Sequence, residues 1–327
     1  MLKTTTPLQA IRKLVHADFD AVNQLIQTQL SSNLGLVQDV TEHIISGGGK
    51  RLRPLMVLLS AKALGYQGQQ HIDVATIIEF IHTATLLHDD VVDASNLRRG
   101  AKTANFIWGN EASILVGDYM YSLAFKMMAN LQKMRVMEIL ADATHQIAAG
   151  EVIQLMNRNN PDLSEAHYLE VIKLKTAKLF EAATQLSSII AESSQQQEIA
   201  ITNYGLHFGV AYQLIDDILD YSATSPEWGK NIGNDLAEGK ATLPLIYTMQ
   251  HGTPAQIKLV RDAIINGSST EIDSILKAIS ASDALSYAKK LAKQQTEIAI
   301  KNLKILPASP YQDALQTLAE FNLERSS

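Results

Sequence analysis

The stretch HYLEVIKLKTAKLFEAATQLSSII (His167–Ile190) decides the fold. Its apolar residues Leu169, Ile172, Leu174, Leu179, Phe180, Ala183, Leu186 and Ile190 recur close to i, i+3, i+4, i+7, the spacing of one face of an α-helix. Runs of the same kind cover roughly 8–30, 36–45, 54–65, 71–94, 110–130, 133–156, 197–222, 255–266, 271–303 and 310–323. Strand-like alternation between turns is nearly absent, and the loop signals are short: SGGGK (46–50), NRNNPD (157–162), SPEWGKNIGND (225–235) and NGSS (266–269). The 8 prolines are sparse, which leaves long stretches free of the strongest helix breaker. An all-α protein follows. No low-complexity segment or shift of composition marks a second domain. The chain therefore reads as a single domain, 1–327, with a core bundle over about 1–250 and a smaller helical part over about 251–327.

Composition removes several classes of function. Net charge is −6 and no basic run exceeds two residues, so a nucleic-acid footprint is not expected. The chain has no cysteine, which excludes disulfides, cysteine–zinc sites and thiol catalysis and fits a reducing compartment. MLKTTTPLQAIRKL at the start lacks the continuous apolar segment of a secretory signal, and no run approaches a membrane span. A soluble cytoplasmic protein is the expectation.

Two segments carry an unusual charge pattern. LLHDDVVD (86–93) and LIDDILD (214–220) each place D-D-x-x-D after an apolar stretch of helical periodicity. Asp89 and Asp93, like Asp216 and Asp220, are i and i+4, on one helix face and about 6 Å apart along the axis. Such like-charged pairs disfavour a helix, and the apolar neighbours Leu86, Leu87, Val91, Val92, Leu214, Ile215, Ile218 and Leu219 would embed them in a core. Buried carboxylates need cationic compensation. Hard oxygen donors without Cys or His suit Mg²⁺, which is held by one or two carboxylates plus phosphate oxygens. One such cluster is as easily a solvated acidic face. Two facing pairs point to a metal clamp on a diphosphate.

Cations suited to such a ligand stand nearby in sequence. GGGKRLRP (47–54) joins a flexible loop to an apolar helical stretch, with Pro54 in its first turn, where backbone N–H groups favour an anion. It is not a P-loop, because Arg51 follows Lys50 where Ser or Thr is needed. Arg98-Arg99 follows the first acidic cluster, and arginine grips phosphate through a rigid fork. Lys175-Thr176, Lys230 and Lys240 are weaker signals, since a lysine is usually only a solvated charge. Gln213 shares a helix face with Asp216, and His82, seven residues before Asp89, shares its face. His43, His145 and His207 read as ordinary core or surface histidines.

Taken together, GGGKRLRP (47–54), FIHTATLLHDDVVDASNLRRG (80–100), GEVIQL (150–155), KTAKLF (175–180), YQLIDDILDY (212–221) and GKNIGNDLAEGKATLPLIY (229–247) resemble the trans-isoprenyl diphosphate synthases, in particular their bacterial long-chain, octaprenyl-type branch. The segments stand in family order over most of the chain. The resemblance implies an all-α bundle around a deep central cavity and a homodimer. It implies Mg²⁺, three ions per active site, on Asp89, Asp93 and Asp216, with Asp220 supporting. Arg98, Lys175, Thr176, Gln213, Lys230 and Lys240 would bind an allylic diphosphate such as farnesyl diphosphate. Lys50, Arg53, His82 and Arg99 would bind isopentenyl diphosphate. The implied reaction is sequential condensation to an octaprenyl or nonaprenyl chain for a quinone, with transient membrane contact for its release. A class I terpene cyclase usually lacks the second full D-D-x-x-D and needs no KRLRP site. A non-catalytic regulatory subunit typically loses one acidic motif. Product length would be set below the first acidic cluster. There Ala84 and Thr85 are too small to form a floor, while Ile81 and the flexible Met127 and Met128 form a deeper stop.

Overall fold

In the computed structural model, which describes residues 6–31, 34–222 and 232–325, the chain is almost entirely helical, as the periodicity predicts. Helices α1 (Pro7–Leu14), α2 (His16–Leu30), α3 (Gly35–Ser46), α4 (Leu52–Ala63) and α5 (Gln70–Val92) come first. A small antiparallel hairpin, β1 (Leu97–Arg98) and β2 (Ala101–Lys102), precedes α6 (Ala104–Trp108), α7 (Asn110–Asn130) and α8 (Met134–Met156). Then follow α9 (Glu165–Ile172), a π-helical segment (Lys173–Ala177), α10 (Lys178–Ile190) and α11 (Gln195–Asp220). The chain continues with α12 (Asn234–Ala237), α13 (Leu243–His251), α14 (Pro254–Asn266), α15 (Ile272–Ala281), α16 (Ala284–Leu303) and α17 (Pro310–Glu324).

Three of the expected helices are interrupted. The 8–30 run breaks at Val15, the 271–303 run breaks after Ala281, and 167–190 holds the π segment. A π segment adds a residue to one turn and shifts the faces by about 100°, a change that a sequence stripe tolerates and does not reveal. The hairpin, α6, α12 and α13 are additions to the expected pattern. Arg99-Gly100, both at positive φ (54° and 77°), form the two-residue hairpin turn that such a twist requires.

Packing separates two compact units. One comprises the residues up to Asp142, Leu179–Gly205 and Asn302–Leu318. Its centre is α5, with α4, α7 and α2 packed on it. α4 and α5 are apolar on nearly every side, the mark of a fully enclosed helix: Leu55, Met56, Leu58, Leu59, Ile77, Ile78, Phe80 and Ile81 are all wholly buried. Each such side chain contributes about 1.5–3 kcal/mol of transfer free energy. Those helices are thus rigid mounts for whatever their ends carry. The other unit comprises Ala143–Lys178, Leu206–Lys301 and the residues from Ala319 on. Its core joins Tyr168, Ile172, Leu214, Ile215 and Ile218 to Leu236, Leu243, Leu245 and Ile246, with Val260, Ile264, Ile275 and Ile279 behind.

Candidate active site

In the first unit, α5 stops at the acidic cluster. Asp93 is its C-cap, with its N–H on the Asp89 carbonyl at 2.8 Å. Three carboxylates therefore sit at the negative end of a 23-residue helix, where the macrodipole disfavours anions and favours cations. Asp90 turns inward. It is 2% exposed, and its Oδ1 accepts from Arg98 Nε at 2.9 Å and Nη2 at 2.8 Å. Burial raises the Asp90 carboxyl pKa, and Arg98 offsets only part of that rise. Arg98, expected on the allylic diphosphate, is thus anchored from behind by the middle aspartate of the motif. Leu87 is buried as expected, whereas Val92 is half exposed because the helix has ended there.

The basic residues of this unit converge. Arg53 Nη1 donates to His82 Nε2 at 3.1 Å, and its guanidinium lies 4.1 Å from the centroid of the Phe180 ring. Arginine can only donate, so His82 accepts at Nε2 and carries its proton on Nδ1. Burial, reinforced by Arg53, Arg99 and Arg98, holds His82 well below the usual histidine range, so it is a neutral member of a cationic set. Arg99, at the hairpin turn, donates through Nη1 to the Gly48 carbonyl. The loop glycines permit this approach: at Gly49 (φ 153°) a Cβ would stand 2.5 Å from Arg99 Nη1. Arg12 Nη2 holds the Lys50 carbonyl at 2.7 Å. Arg51 donates to Asn23 Oδ1, and its Nε lies 3.8 Å from Glu79 Oε1.

The residues expected along the product tunnel lie in this unit too. Ile81 and Ala84 are wholly buried on α5, and Met127 and Met128 are buried on α7, which packs along it. Thr85 is half-buried, its hydroxyl donating to the His82 carbonyl at 2.7 Å.

In the second unit the weak GEVIQL signal acquires a physical meaning. A Cβ on Gly150 would stand 2.9 Å from Leu174 Cβ and 2.9 Å from Lys175 N, so only glycine lets α8 approach the π segment. Glu151 Oε2 and Gln154 Oε1 then accept from Lys175 Nζ at 2.6 and 2.8 Å. Thr176 Oγ1 donates to Gln213 Oε1 (2.8 Å), and Gln213 Nε2 donates to Asp217 Oδ1 (2.7 Å). Tyr168 completes the chain by donating to Asp217 Oδ2 at 2.5 Å. Asp217 is wholly enclosed; burial and then Asp235 push its carboxyl well above the usual range, against the two donors. Gln154, Lys175, Thr176, Gln213, Asp217 and Tyr168, with Lys240 and Thr242, line a cavity of about 120 Å³. Lys240 Nζ meets Glu238 Oε2 at 2.5 Å, and Lys230 lies outside the described residues.

The second acidic cluster also ends its helix, at Asp220. The Asp220 carboxylate receives the N–H groups of Asn234 and Asp235, each at 3.1 Å, so it is partly spent on the start of α12. Asp216 is about one-third exposed and accepts from Arg325 Nη2 at 2.7 Å. Arg325, itself 4.8 Å from the Tyr212 ring centroid, is a basic partner that no pattern near the motif announces. Among the described residues no three His, Asp or Glu side chains gather into a metal cage. Paired carboxylate oxygens are the donors that Mg²⁺ takes when ligand phosphates complete its shell, so the residues present fit that ion. Sequence reasoning missed Glu79, Tyr168, Asp217 and Arg325. Only Asp217, inside the acidic motif, carried a signal.

Comparison with known proteins identifies the family. The family model described as Polyprenyl synthetase matches residues 35–281. The chain is 48% identical over 320 residues to an octaprenyl diphosphate synthase of Haemophilus influenzae, covering 98% of this chain and 97% of that one. It is 47% identical over 319 residues to the octaprenyl diphosphate synthase of Escherichia coli, covering 97% and 99%. Among solved structures, a polyprenyl synthase from Caulobacter crescentus, complexed with calcium and isoprenyl diphosphate, superposes with a TM-score of 0.94 at 40% identity, covering 99% of this chain and 100% of that one. The all-α fold is that of these synthases, the enzyme is a prenyltransferase, and the chain belongs to the polyprenyl synthetase family.

Proposed function

We propose that this prenyltransferase, a long-chain trans-polyprenyl diphosphate synthase, extends an allylic primer such as farnesyl diphosphate with isopentenyl diphosphate to an octaprenyl or nonaprenyl chain that becomes a quinone side chain. The observation that carries the reading is the placing of both D-D-x-x-D motifs at the negative ends of long helices, where carboxylates call for cations. Asp89, Asp93 and Asp216 would hold Mg²⁺, three ions in all, with Asp220 supporting. Once bound, the ions supply charge stabilisation for a departing diphosphate. Arg98, Lys175, Thr176, Gln213, Lys230 and Lys240 would bind the allylic diphosphate, the cations offsetting the charge that develops on it as it leaves. Lys50, Arg53, His82 and Arg99 hold isopentenyl diphosphate so that its double bond is presented for attack. The allylic C–O bond breaks with both electrons leaving on the diphosphate. The double bond then forms the new C–C bond, and a proton passes to the released diphosphate.

Ile81, Ala84, Thr85, Met127 and Met128 would shape the path of the growing chain. The exposed Ile114, Leu115 and Phe125 of α7 favour a homodimer. No helix of the described residues is long and apolar enough to cross a membrane. The reading includes a cytoplasmic, single-domain enzyme whose product would leave through transient membrane contact. The test is metal dependence. Asp89→Ala and exhaustive chelation should each abolish turnover with the helical content unchanged, and added Mg²⁺ should restore only the chelated sample. Robust turnover after chelation contradicts the reading.

A further inference from the structure

Glu79 is a carboxylate where none is expected. It lies on α5, 8% exposed, beside Arg51 and one turn before His82, which is among the residues assigned above to isopentenyl diphosphate. Its Oε1 is 3.8 Å from Arg51 Nε, and its Oε2, wholly enclosed, accepts no hydrogen bond. An enclosed carboxylate oxygen without a donor costs free energy, so it persists only where surrounding charge offsets that cost. Here burial raises the carboxyl pKa, and Arg51, Arg53 and Arg99, in that order, pull it down. Those three side chains come from the α4 start and the hairpin turn, and they carry like charges that repel one another when no diphosphate lies between them.

We propose that Glu79 is a positioning residue of the isopentenyl diphosphate site, a fixed internal anion that keeps Arg51, Arg53 and Arg99 converged before the substrate arrives. The inference rests on the reading of Lys50, Arg53 and Arg99 as that site. It has a consequence opposite to simple charge counting. Removing a negative charge beside an anion site should tighten anion binding if charge alone acts. If Glu79 sets the geometry, its loss spreads the arginines and weakens binding.

The experiment is steady-state kinetics of Glu79→Gln, which keeps shape and removes charge, beside Glu79→Asp and Arg53→Ala. For Glu79→Gln the KM for isopentenyl diphosphate should rise about tenfold while the KM for the allylic substrate and kcat stay within about twofold. Glu79→Asp should recover part of that loss. Binding of isopentenyl diphosphate to the metal-free enzyme, measured by calorimetry, should weaken in parallel, since none of these side chains is a metal ligand. An unchanged or lowered KM in Glu79→Gln, with Arg53→Ala still impaired for isopentenyl diphosphate, overturns the proposal alone. If Arg53→Ala leaves that KM unchanged as well, the assignment of the site itself has failed.

Discussion

Replacing Gly150 with alanine tests how the π segment is held. The added Cβ would stand 2.9 Å from both Leu174 Cβ and Lys175 N, against contact distances of about 3.5–4.0 Å, so the segment must yield by roughly 0.5–1 Å. Overpacking of this size costs about 1–3 kcal/mol, while alanine in place of a helical glycine regains about 1 kcal/mol. The net loss is therefore about 0–2 kcal/mol, and Tm should fall by no more than about 5 °C. Kinetics should respond far more. Lys175 and Thr176 ride on the displaced segment, and an error near 1 Å at a reacting centre costs about 100-fold. Steady-state assays with labelled isopentenyl diphosphate and varied farnesyl diphosphate should show kcat/KM for the allylic substrate down about 10- to 100-fold. The KM for isopentenyl diphosphate should change by less than about twofold. Wild-type kinetics combined with a lower Tm would show that the segment absorbs the methyl without moving its side chains, and the argument from Gly150 would be wrong.

Lys50→Ala or Arg53→Ala should raise the KM for isopentenyl diphosphate about 10- to 150-fold, the equivalent of one lost charge-assisted contact of about 1.5–3 kcal/mol, with little change for the allylic substrate. Ala84→Phe should give much shorter products at near-normal early turnover, since the ring fills space on α5 one turn before the acidic cluster; full-length product from this variant refutes the tunnel assignment. His82 is held neutral in the fold, so the unfolded chain takes up a proton that the native chain refuses. Its contribution to stability is present above the ordinary histidine pKa near 6.5 and is lost as pH falls below it. Urea midpoints of the wild type should therefore drop more steeply below about pH 6.5 than those of His82→Gln.

How much of this was legible in the sequence depended on the period of the signal. Apolar stripes at helical spacing located the long helices because burying one face is what stabilises them, and D-D-x-x-D located the acidic groups because both spacings lie within one chain segment. The π segment escaped because an extra residue in one turn leaves an apolar run unbroken. The sequence presents Arg98 as a phosphate ligand, and its bond to Asp90 depends on the hairpin folding back toward α5, which no local pattern records. Arg325 on Asp216 joins residues 109 apart, and Tyr168 on Asp217 joins residues 49 apart; contacts of this kind arise only from tertiary packing. Gly150 stands in the GEVIQL segment, yet its reason is the approach of Leu174, a contact between elements distant in sequence.

The central claim is that the chain condenses isopentenyl diphosphate onto an allylic primer many times in succession. It is tested most directly by incubating the purified protein with Mg²⁺, farnesyl diphosphate and labelled isopentenyl diphosphate, then dephosphorylating and chromatographing the products. The account predicts linear all-trans polyprenols of the octaprenyl to nonaprenyl class, with none formed when the chelator is present. Label confined to cyclised hydrocarbons, or no incorporation by a correctly folded sample, would contradict it.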